Sequence, residues 1–90
     1  LGLLMPQKRY IVEGDSHSHG GHVLSGAPNS RIGGRAIARL TDPAICEIHG
    51  RTHIAKVSGV ARFDRQPAAC DGDELACGAR LIASQSTTGG

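Results

Sequence analysis

An aspartate followed four positions later by a side chain able to bind a metal occurs three times, as Asp15 and His19, Asp42 and Cys46, and Asp73 and Cys77. Three equivalent turns of this kind can each deliver one donor to a common point. The middle turn offers a second donor, because His49-Gly50 echoes His19-Gly20 and Cys77-Gly78. Together His19, Cys46, His49 and Cys77 supply two imidazoles and two thiolates, the donor set of a closed tetrahedral structural zinc site. Soft sulfur and borderline nitrogen select zinc over magnesium or calcium, and its filled d shell tolerates the geometry that three turns impose. Four protein donors leave no open position, so the chemistry expected is structural.

The remaining polar residues fit around that set. His53, four residues after His49, is the alternative donor to Cys46. Cys70 aligns with Arg39 in a segment leading into a turn, so it is expected to pack in the interior. His17 and His22 flank His19 in a loop rich in serine and glycine and are expected to be solvated. Asp15, Asp42 and Asp73 suit carboxylates that cap backbone N–H groups of tight turns, two of them following glycine as Gly14-Asp15 and Gly72-Asp73. Ser16, His17 and Asp15 are too close in sequence to form a catalytic triad.

The elements that must position these residues read as β. Thirteen glycines are spread along the chain, leaving no room for a helix of ordinary length. Short extended segments precede each turn at Arg9-Tyr10-Ile11-Val12, Ala36-Ile37-Ala38-Arg39 and Pro67-Ala68-Ala69, and further strands leave at Val23-Leu24, Ile54-Ala55 and Leu81-Ile82. Asp42 and Asp73, Cys46 and Cys77, and Val23 and Ile54 are each 31 residues apart, whereas Asp15 and Asp42 are 27 apart. The middle turn is therefore longer, and Glu47, Ile48, His49 and Gly50 lie in the added length. Three strand-turn-strand arms predict an all-β, pseudo-threefold cone of short strands, its turns converging on zinc near the apex. The turn-rich connections Ser25–Ser30 and Ser58–Ala61 run along its side or base. The division expected is an N-terminal extension or expression remnant at 1–8, one β domain at 9–84, and a polar tail at 85–90.

Composition explains why a metal would matter. Ninety residues with 39% hydrophobic content include one Tyr, one Phe and no Trp, so the core must be thin and a further constraint is needed to offset chain entropy. Three cysteines are an odd number and no stretch reads as a secretory leader, so a disulfide framework is not expected. A net charge of +2 falls short of a nucleic-acid footprint. A zinc-finger-like nucleic-acid module is the alternative reading of the Cys/His set, but it lacks a recognition helix and stacking aromatics. A hydrolytic zinc enzyme would need an open metal position and a nearby base.

Four motifs carry a resemblance to a known family: Gly14-Asp15, His19-Gly20-Gly21, Cys46-Glu47-Ile48-His49-Gly50 and Cys77-Gly78-Ala79. With the degenerate Ala36-Ile37-Ala38-Arg39 and Pro67-Ala68-Ala69-Cys70, the chain resembles the PAAR-repeat proteins that tip the spike of the bacterial type VI secretion system. It departs from them at Thr41-Asp42, where a Gly-Asp is usual. The resemblance implies a non-enzymatic, zinc-stapled monomer that caps and sharpens the spike. Its base would dock on the blunt end of the trimeric valine-glycine repeat spike protein, and it would attach secreted effectors. It implies no nucleic-acid partner, no stable membrane association, and residence in the bacterial cytoplasm before secretion with the spike.

Overall fold

A computed structural model of the chain describes residues 9–59 and 61–84; the expected extension at 1–8 and tail at 85–90 lie outside the described residues. There is no helix among the described residues. The described residues form eight short strands: β1 (Gly21–Val23), β2 (Arg31–Ile32), β3 (Arg35–Ala36), β4 (Pro43–Cys46), β5 (Gly50–Lys56), β6 (Arg62–Phe63), β7 (Gln66–Pro67) and β8 (Glu74–Leu75).

Threefold repetition appears first in the backbone. Ile11 N–H donates to Ala69 O, Ala69 N–H to Ala38 O, and Ala38 N–H to Ile11 O, a closed ring of 2.8–2.9 Å bonds. Bridges Tyr10 to Cys70, Val12 to Ile37 and Arg39 to Ala68 complete the triangle. The segments read as strands leading into the turns are thus extended, but each touches both others instead of joining a long ladder.

Above this triangle stands a ring of three hairpins. β1, β4, β5 and β8 form one antiparallel sheet in that order. Bridges from Glu74 to Arg80, His17 to Leu81 and Ser16 to His22 carry the ladder on through residues 80–81 and 16–17 and back to β1. Each hairpin lends one strand to each neighbour, so that among the described residues this ring of hairpins closes on itself. Here the structure differs from the sequence reading. Pro43–Cys46, read as turn, is β4, paired on both sides. Its proline sits at the first strand position, where proline is tolerated.

The interior is layered by the same symmetry. Ile11, Ala38 and Ala69 form one layer, Val23, Ile54 and Leu81 the next, and Ala44 and Leu75 the one nearest the turns, all at most 2% exposed. Nothing larger than leucine or isoleucine fills this core, as the composition required. A second cluster of Tyr10, Val12, Ile37, Ala68 and Cys70 lies beside it, with Ile32 and Phe63 packed on it from the two outer hairpins. Cys70 is buried as expected. The hairpins β2–β3 and β6–β7 turn through Gly33-Gly34 and Asp64-Arg65, all with positive φ, as two-residue loops of this kind demand.

The three aspartates hold the arms at their entry. Asp15, Asp42 and Asp73 each accept a backbone N–H three residues back, from Val12, Arg39 and Cys70, at 2.8–2.9 Å. Their job is the expected geometric one, and the symmetry ends at their second partners. Asp15 meets Ser84 Oγ and Arg35, Asp42 takes two guanidinium bonds from Arg39, and Asp73 accepts from Ser58 Oγ at 2.8 Å.

The residue before each aspartate has positive φ: Gly14 at 88°, Thr41 at 74° and Gly72 at 89°. Glycine adopts this region freely, whereas a β-branched residue there is strained by about 1–3 kcal/mol. Thr41→Gly is therefore expected to raise stability by about 1 kcal/mol, after the added freedom of the unfolded chain is deducted. A thermal melt should show Tm higher by roughly 4–8 °C, and an unchanged or lower Tm would contradict the strain.

Candidate metal centre

The tips of the three hairpins bring three of the four predicted donors together. His19 lies in the turn between residues 16–17 and β1, Cys46 ends β4, and Cys77 lies in the turn after β8. One donor atom from each lies within 4.8 Å of the other two, and Cys77 Sγ is 3.8 Å from His19 Nδ1. Cys46 is buried, while His19 and Cys77 are partly open to solvent. Among the described residues this is the sole group of three or more histidine, cysteine or acidic side chains placed to hold a metal ion.

Local backbone explains the convergence. Gly20 N–H returns to His17 O, and Gly78 N–H returns to Leu75 O, so the first and third tips turn in the same way. Gly20 at φ 78° and Gly78 at φ 92° supply the left-handed step just after each donor. In the middle hairpin, Glu47-Ile48-His49 spans the turn between the paired residues Cys46 and Gly50. Glu47 N–H bonds Gly20 O at 2.9 Å, tying the middle tip to the first.

The surroundings of Cys46 ease the loss of its thiol proton relative to an ordinary cysteine. Burial alone, the largest influence, pushes its thiol up, and the Glu47 charge adds to this. Hydrogen bonds from the backbone at His49 and Ile48 and from the Cys77 side chain together outweigh them and hold it below the ordinary cysteine value. A turn that presents N–H groups to sulfur is preorganised for the anionic form that metals bind.

The other predicted donors fall outside the tight group. His49 is exposed on the middle turn, its ring 5.8 Å from that of His19 between centroids. His53 is exposed on β5, one residue before the buried Ile54, and so on the opposite face of the strand. Cys46, not His53, stands with His19 and Cys77. His22 is exposed as expected.

His17 is not solvated. It is 4% exposed, with Nε2 2.8 Å from Ile45 O and Nδ1 3.3 Å from the His19 N–H. The serine and glycine around it suggested an open loop. Register gave the better signal: two residues after its aspartate, His17 is equivalent to the buried Ala44 and Leu75.

A family model for the PAAR motif matches residues 13–83. The chain belongs to the PAAR-motif family. A comparison with curated proteins found no match. PAAR membership supports a type VI spike-tip role in general and association with spike proteins, and the family is a structural one. The three converging tips, each built from an aspartate-led hairpin, give that membership its physical content in this chain. The His19, Cys46 and Cys77 group can hold a metal ion. No helix of the described residues is long and apolar enough to cross a membrane.

Proposed function

We propose that this PAAR chain is a non-enzymatic tip that caps and sharpens a type VI secretion spike, with zinc held at the apex by His19, Cys46, His49 and Cys77. The observation that carries the reading is the meeting of three donor atoms, one from each hairpin tip, within 4.8 Å. Two thiols and an imidazole suit zinc, and the neighbouring His49 ring supplies a second imidazole from the exposed turn. Bound there, zinc would cross-link the three arms where converging turns leave little apolar area to bury. The buried main-chain ring of Ile11, Ala38 and Ala69 gives the body a near-threefold form, which suits the blunt end of a trimeric valine-glycine repeat spike protein. Effectors would be carried as attached cargo, loaded in the cytoplasm and ejected with the spike.

Elemental analysis of the purified protein, followed by co-purification with the trimeric spike protein, tests both halves. One zinc per chain and one chain per trimer are expected. Zinc-free protein refutes the apex assignment, and failure to associate with any trimeric spike protein of the same cell refutes the docking role.

A further inference from the structure

His17 stands out once the layers are compared. At the interior level nearest the metal group, the two equivalent positions are aliphatic, Ala44 and Leu75, while the first arm places an imidazole there. A buried polar ring is unfavourable unless its hydrogen bonds are made, and both nitrogens of His17 have partners. The carbonyl of Ile45 can only accept, so Nε2 carries the proton and donates across 2.8 Å. Nδ1 is then a bare lone pair facing the backbone N–H of His19 at 3.3 Å. One ring thus grips the backbone of one donor residue and the carbonyl immediately before another, Cys46. It lies against Gly21 as well: a Cβ built there would come within 3.1 Å of His17 Nε2.

We propose that His17 is a positioning residue of the metal centre, coupling the first and middle hairpin tips so that His19 and Cys46 are set before the ion arrives. This rests on the reading of the apex as a metal site. His17 does not ligate; its ring is occupied on both sides by backbone. What it supplies is preorganisation, the part of metal affinity that groups outside the coordination sphere control. Leucine in its place fills the layer as Leu75 does in the third arm, yet leaves the His19 N–H and the Ile45 carbonyl without their imidazole partner.

The test is cobalt(II) binding by the full chain, followed by its thiolate charge-transfer absorption, for the parent and for His17→Leu, His17→Asn and His17→Gln. His17→Leu is expected to weaken cobalt binding by about 10–100-fold, while the saturated spectrum keeps the parent's shape because the donors are the same. Asparagine places an acceptor near the Nδ1 position and glutamine a donor near the Nε2 position, so each should recover part of the loss. Imidazole nitrogen NMR of the metal-free parent should show the proton on Nε2 and a hydrogen-bonded Nδ1. Leucine-variant affinity within about twofold of the parent overturns the proposal, against the larger loss that removing a positioning partner brings. A saturated spectrum that has lost a nitrogen donor overturns it too, by making His17 a ligand. Should His17→Leu fail to fold, the asparagine and glutamine variants and the nitrogen spectrum decide, with parent-like affinity in both variants or a proton on Nδ1 counting against it. If the parent takes up no cobalt, the metal reading fails first and takes this one with it.

Discussion

Stripping the metal from the apex is expected to lower Tm by roughly 20 °C or more, and His19→Ala and Cys77→Ala should reproduce that loss without a chelator. A structural zinc site contributes on the order of 10 kcal/mol at neutral pH, and each kcal/mol moves Tm by about 4–8 °C in a domain of this size. Half of that contribution already corresponds to the stated shift. The effect is large here because the interior offers little else: the layers under the tips are alanine, valine, leucine and isoleucine, with a histidine in place of one of them. His53→Ala, on the outer face of β5, should melt like the parent and lose its stability to chelator in the same way. Differential scanning calorimetry with and without chelator measures all four proteins. A chelator-treated parent that melts within a few degrees of the untreated one would remove the metal from the account of stability.

The convergence of three side chains was legible because residues at one offset from equivalent turns fall at equivalent places, whereas His49, also expected to be a donor, stands exposed outside the group. His19, Cys46 and Cys77 meet as their common distance from an aspartate implied. The aspartates were legible too, since a carboxylate beside a left-handed residue has a ready job in accepting N–H groups, and all three do it. The strands beside the donors were not. Pro43–Cys46 and residues 16–17 pair for only a few residues, too briefly for alternation to show, and they carry the proline, histidine and cysteine that also mark turns. Gly33-Gly34 between short β segments is a strong hairpin signal for β2–β3 that a reading in three arms leaves out. Its counterpart turns through Asp64-Arg65, where Arg65 gives no such hint, yet Arg62 and Arg31 each donate to the carbonyl closing their turn.

The repeat also shows where the arms were free to diverge. Backbone bonds at the triangle are shared by all three, because a ring of N–H and C=O groups has no other way to close. The second partner of each aspartate differs, being Ser84 with Arg35, Arg39, or Ser58. Symmetry is kept where main chain meets main chain and relaxed where a side chain can be replaced by another. His17 follows the same rule: it occupies an aliphatic position, and only its local partners reveal why a ring is there.

Gly21→Ala is expected to destabilise the protein by more than about 4 kcal/mol, the range reserved for a specific structural conflict, and to abolish metal binding. Gly21 has φ +113°, and a Cβ built on it would lie 2.0 Å from Ile45 O and 2.9 Å from Ile45 C. Those are backbone atoms of β4, so no side chain can swing aside; β1 and β4 would have to part. Gly21 is paired with Cys46, and parting the strands moves a donor away from the other two. Gly33→Ala supplies the control. Gly33 also has positive φ, at +59°, but a Cβ there meets nothing within 4 Å, so the conformational cost of about 1–2 kcal/mol stands alone. Urea unfolding and zinc content of the two variants separate the terms. If Gly21→Ala and Gly33→Ala unfold at the same denaturant concentration and both retain zinc, then β1 does not approach β4 closely enough to need a glycine, and the joining of the first two tips is not what brings His19 to Cys46.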